Sequence, residues 1–186
     1  MGVNFTALFD YSSNKQVLKY LTMMLNDKTN FENHFSDVKS NNEIEHETRI
    51  GIENRVFARR IEDEFDEIGY VNISGPEGLE LYIGKHLCEL TSPIRWNTFL
   101  SDQLTQEKLR RISLELSKIF GYPIYAPDSF CLDSYLFDGN KIDKVNDYLI
   151  EKYGPPSSSL NEMLDDYIKN NEHRTYYFEN FEDLLS

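Results

Sequence analysis

The chain switches between short segments with apolar residues at every second position and longer ones with apolar residues at every third or fourth. "VNFTALFDY" (3–11) is rich in the β-branched and aromatic residues that suit a pleated surface, and it predicts an opening strand. Val17, Leu18, Leu21, Met24 and Leu25 then recur at helical spacing behind Asn14, a good N-cap, and predict an amphipathic helix over 15–26. Residues 27–49 are polar apart from Phe31 and Phe35, and they read as loop with a helical turn. Ile50, Ile52, Val56 and Phe57 give 49–61 the look of strand material, with Arg and Glu interleaved.

"IGYVNIS" (68–74) and "LELYIGKHLCEL" (79–90) predict two strands, and "GPEG" (75–78) supplies the turn that makes them a hairpin. "TSPIRWNTFLSD" (91–102) reads as a connection carrying the single tryptophan. Leu109, Ile112, Leu116, Ile119 and Phe120 form one stripe of a helix running from about Thr105 to Phe120, with Gly121 where a left-handed closing residue belongs. "YPIYAPDS" (122–129) reads as a short strand ending in Asp128 and Ser129. "DGN" (138–140) marks a turn, and Ile142, Val145, Leu149 and Tyr153 a helix that "GPP" (154–156) stops. Ser159 and Glu162 match the S-x-x-E capping box of a last helix, whose apolar face is Leu160, Met163, Leu164, Tyr167 and Ile168. "RTYYFENF" (174–181) is a β-type closing segment.

Strands interspersed with helices, one hairpin in the middle and no internal repeat predict a single α+β domain with a mixed or antiparallel sheet covered by helices. An all-parallel sheet is disfavoured, because its strands would be continuous apolar runs and these are half polar. A length of 186 residues suits one domain with a sizeable core.

Charge then narrows the partners. Nineteen basic and 32 acidic residues leave a net charge of −13, which repels phosphate backbones and anionic lipid. Nucleic acid and membrane are therefore excluded as expected partners, and a basic protein partner is favoured. The plain alternative is that acidity keeps the chain soluble. No basic segment precedes an apolar core, and no apolar run approaches the ~20 residues a spanning helix needs. Cys88 and Cys131 do not make a disulfide framework, and both read as free, buried thiols, with a single structural disulfide as the alternative. These features together predict a cytoplasmic protein.

Candidate chemistry is sparse. His34, His46, His86 and His173 form no H-E-x-x-H pattern and sit at no ligand spacing with a cysteine, so no metal site is expected. G-x-S-x-G and both glycine-rich phosphate loops are missing, and no cofactor is expected. His86 and Cys88 would share a face of one strand, which allows a thiolate–imidazole pair, although a cysteine there is more often core filler. Glu62, Asp63, Glu64, Asp66 and Glu67 are five carboxylates in six residues. They read as a solvated segment or as a surface for the basic partner. At 122–129, Ala126-Pro127 ends the strand, and Asp128 and Ser129 then either bond backbone amides of a turn or contact a ligand.

Trp96, Phe99 and Leu100, Tyr125 with Pro127, Asp128 and Ser129, and Gly154, Pro155 and Pro156 make up a pattern that resembles a group of uncharacterised bacterial proteins. The likeness covers roughly 1–25 and 92–181. The resemblance implies a stand-alone bacterial domain of immunity type or another interaction protein, and a recurring unit of Trp96 with Asp128-Ser129. The expected function is a non-enzymatic acidic interaction protein that binds a basic protein, in the manner of a toxin's immunity partner. The alternative is a small-ligand-binding protein or hydrolase-like enzyme with a pocket at Trp96, Tyr125, Asp128 and Ser129.

Overall fold

The computed structural model describes residues 3–11, 70–74, 76–172 and 174–185. Among them six strands form one antiparallel sheet in the order β2-β3-β4-β1-β5-β6. The strands are β1 (Asn4–Asp10), β2 (Tyr70–Ser74), β3 (Glu80–Gly84), β4 (Leu87–Arg95), β5 (Ile124–Pro127) and the two-residue β6 (Tyr177–Phe178). The helices are α1 (Trp96–Ser101), α2 (Gln103–Ser117), α3 (Asp133–Phe137), α4 (Ile142–Tyr153), α5 (Leu160–Asn170) and α6 (Glu182–Leu185). The fold is α+β, as the alternating patterns predict.

Alternation along the strands divides the core in two. Phe5, Ala7 and Phe9 of β1 join Cys88 and Leu90 of β4 and Tyr125 of β5 under α1, α2 and α5. Their neighbours Leu8, Leu87, Ile124 and Ala126 point the other way and pack with Leu136 of α3 and Val145 and Leu149 of α4. On the first face Phe5 lies 4.5 Å from Phe99, 5.5 Å from Tyr125 and 6.2 Å from Trp96, ring centre to ring centre. Separations of this size favour edge and offset contacts between rings.

β1 is central because its neighbours pair it on both sides: Thr6 lies opposite Thr91 of β4 and opposite Ala126 of β5. In the same register Glu89 of β4 lies between Leu8 of β1 and Tyr82 of β3. Thr6, Glu89 and Tyr82 therefore share the second face. α3 reaches the sheet edge because Gly84 has no side chain; a Cβ there would stand 2.9 Å from both the side chain and the carbonyl of Leu136.

The structure departs from the sequence reading at identifiable points. The expected strand 79–90 is a hairpin, β3 and β4, joined at Lys85-His86, and β4 continues through the expected connection to Arg95. The α2 helix is capped by the Asp102 carboxylate, which accepts from the Thr105 amide at 2.9 Å, and it closes at Ser117 rather than Phe120. Gly121 is not left-handed; its amide donates to the Asp10 carbonyl at 2.6 Å, and a Cβ would stand 3.2 Å from that oxygen. A glycine of positive φ does follow α4: Gly154, with φ of 81°. Ser159 caps α5 as the S-x-x-E pattern predicts, accepting from the Glu162 amide at 3.1 Å. Cys131 is exposed rather than buried, and both cysteines are free. The helix expected at 15–26, the segment 49–61 and the acidic run 62–67 lie outside the described residues.

Candidate functional site

Among the described residues, the second face of the sheet carries a concave stretch that α3 and α4 leave open. Between α3, the Asp128 turn and the ends of β1 and β4 lies a cleft of about 580 Å³. Thr6, Tyr82, Glu89, Asp128, Asp133 and Phe137 line it, and among the described residues no lysine, arginine or histidine does. Its volume falls within the ~300–1,000 Å³ of typical ligand clefts.

Glu89 is the unusual group. It is only 4% exposed, and its Oε2 has no hydrogen-bond partner among the described residues. Thr6, 1% exposed, likewise has an unpartnered Oγ1. Buried polar groups in folded proteins are nearly all hydrogen-bonded, so two in one cleft require a reason. Burial first, then the negative charges of Asp133 and Asp128, push the Glu89 carboxyl up to about 8. At neutral pH the floor of the cleft is thus largely a neutral carboxylic acid beneath two rim carboxylates. No trio of His, Cys, Asp or Glu among the described residues is arranged to hold a metal ion.

Asp128 is placed by a helical turn, Asp128–Phe130, that starts where Pro127 ends β5. Its carbonyl accepts from the Cys131 amide at 3.2 Å, and Cys131 adopts φ of 57° to close the turn. The backbone of "PDS" makes a turn without a side-chain cap, and Asp128 is among the residues that line the cleft. Asp133 opens α3, where a carboxylate suits the helix start, and accepts from the Ser134 amide at 3.0 Å.

The four residues expected to form one pocket are divided by the sheet. Asp128 lines the cleft and Ser129 is exposed beside it. Trp96 and Tyr125 are 1% and 0% exposed and lie in the aromatic cluster under the opposite face. Period-two alternation is the cause: Tyr125 and Ala126 must point to opposite sides. Glu62, Asp63, Glu64, Asp66 and Glu67 lie outside the described residues. Glu89 and Thr6 were not singled out in the sequence, although Glu89 in the strand "LCEL" is a charge inside an apolar run. His86 and Cys88 do not pair: His86 is in the turn before β4, while Cys88 faces the first core, where burial raises its thiol well above the ordinary range.

A second polar cluster lies on the other side. Arg110 of α2 donates from Nε and Nη2 to Glu179 at 2.6 and 2.9 Å, and from Nη1 and Nη2 to Asp183 at 2.7 and 2.5 Å. Glu179 also accepts from the Asn180 and Phe181 amides at 3.0 and 2.8 Å. This bidentate arrangement is fully occupied and ties the C-terminal segment to α2. Burial alone would lower the guanidinium; its bonds to Asp183 and Glu179 overcome that and raise it.

The arrangement defines an α+β protein with an acidic cleft on one face of an antiparallel sheet. No protein-family model matches the chain, and no curated protein or solved structure matches it.

Proposed function

We propose that the protein is a non-enzymatic interaction protein that binds a basic protein partner, and that the partner docks over the cleft between α3 and the Asp128 turn. The observation that carries this reading is the lining of that cleft: Glu89, Asp128 and Asp133, with no basic residue among the described ones, in a chain of net charge −13. Such a surface attracts a basic protein and repels nucleic acid. The acidic run Glu62, Asp63, Glu64, Asp66 and Glu67 extends the same charge in sequence. The resemblance noted above suggests the biological setting, an immunity protein that neutralises a basic toxin in the cytoplasm.

One observation favours a second reading, a small-ligand-binding protein or hydrolase-like enzyme. Asp128 faces a concave cleft beside a buried acid, Glu89. A carboxylic acid held protonated at neutral pH is a standard general acid.

Co-expression with the products of neighbouring genes separates the two. The first reading expects a basic protein to copurify, with an association rate that falls steeply with salt. Replacing Asp128 and Asp133 by Asn should slow that association and flatten its salt dependence. A copurifying partner that is acidic, or whose association ignores both salt and these substitutions, contradicts it. Turnover of a small molecule that is lost in Glu89→Gln would establish the second reading instead.

A further inference from the structure

We infer that the cleft floor at Glu89 is a subsite for one guanidinium group, the side chain of an arginine that the basic partner inserts beneath the rim carboxylates Asp128 and Asp133. This rests on the basic-partner reading above and adds to it a single anchoring contact.

Three independent features point to a cation. Glu89 is buried, lines the cleft and keeps Oε2 unpartnered among the described residues. Thr6 presents a second buried oxygen, unpartnered among the described residues, on the same face and diagonal to Glu89 across the β1–β4 register. The rim adds Asp128 and Asp133, and no lining residue among the described ones brings positive charge. An acceptor-rich floor with negative walls leaves a site for a group made only of donors, which is what a guanidinium is.

Geometry favours arginine over lysine. Tyr82 and Phe137 stand edge to face at 6.0 Å and both line the cleft, so the floor is bordered by aromatic side chains. A guanidinium is planar, stacks on rings and sheds its hydration more readily than an ammonium.

Binding moves a proton. In the free protein Glu89 is a neutral acid below about pH 8. Insertion of a guanidinium converts it to the carboxylate, and the proton leaves to solvent. The groups facing Glu89 are Tyr82 from β3, Asp128 from the turn and Asp133 from α3, while β1 contributes the uncharged Thr6 and Leu8. Neither rim carboxylate is more than a partner to the same cation.

Calorimetry on the full chain with N-acetyl-arginine-methylamide, in two buffers of different ionisation heat, tests this. Binding should release close to one proton below pH 8. Affinity should rise about tenfold per pH unit up to that point and then level off. Lysine's equivalent amide should bind more weakly. Glu89→Gln should abolish the proton release and cost about tenfold or more in affinity, and Asp128→Asn and Asp133→Asn about two- to fivefold each while proton release persists. Carboxyl-carbon NMR of Glu89 in the unaltered protein, with and without the amide, reads the same event without a variant: its midpoint should fall when the amide binds. Binding without proton release, equal binding by Glu89→Gln, or no binding of the amide would overturn the subsite. The basic-partner reading fails separately: a basic protein that copurifies while the amide does not bind leaves that reading standing and removes only the arginine contact. Conversely, amide binding with proton release and no basic partner removes the docking reading alone.

Discussion

At the scale of single residues, Glu89 shows how one charge in an apolar strand sets a chemical property. A carboxyl whose native value is raised, from 4.5 to about 8, binds more protons folded than unfolded between those limits. Its stabilising protonation is complete below about 4.5, is lost as pH rises through about 8, and stays lost above. Unfolding free energy should therefore decline across that window by roughly 3–5 kcal/mol from this group alone. Glu89→Gln, isosteric and uncharged, should flatten the decline and make the protein more stable than wild type above pH 8, measured by urea unfolding across pH. An unchanged slope would show that Glu89 has a partner after all. Trp96 is the opposite case. Buried against Phe5 and Phe99, it should act through packing, so Trp96→Ala should lower stability by about 3–5 kcal/mol. The milder Trp96→Phe should leave binding at the cleft unchanged, since Trp96 lies under the other face.

At the scale of elements, two close contacts hold the layers. Gly84→Ala forces a Cβ to 2.9 Å from the Leu136 carbonyl, so α3 must move off β3. The expected cost is about 1–3 kcal/mol in denaturant unfolding, together with a loosened cleft, because Asp133 and Phe137 ride on α3. Arg110→Ala leaves Glu179, wholly buried, without its counter-charge and should destabilise by about 3–5 kcal/mol, with early loss of amide-exchange protection over β6 and α6. Elements with strong local signals were legible in the sequence: β1, β2, α4 and the Ser159 cap of α5 fall where periodicity and capping place them, and α2 does so except at its C-terminal end. α3 was not, because five residues, "DSYLF", carry too little period to read. Nor was the Lys85-His86 turn, which lacks the Gly, Pro or Asn that usually announces one. The cleft was half legible. Asp128 stood out at a strand end, but Glu89 and Thr6 acquire meaning only once β1 and β4 are paired in register, which is long-range information.

At the scale of the whole molecule, negative charge and an open acidic cleft coincide. No helix among the described residues is long and apolar enough to cross a membrane. Charge acts over about a Debye length, ~8 Å at physiological salt, so it guides encounter and specifies little. Neutralising Glu62, Asp63, Glu64, Asp66 and Glu67 together should slow association of a basic partner roughly tenfold at low salt and leave its dissociation rate nearly unchanged, as read by stopped-flow. On the proposed reading specificity comes from a buried contact, and Glu89 is the group proposed to make it. The most direct measurement is therefore the titration of the Glu89 carboxyl by carbon NMR in the free protein. A midpoint near 8, moving downward when N-acetyl-arginine-methylamide is added, is the expected result; a midpoint near 4.5 that ignores the amide would contradict it.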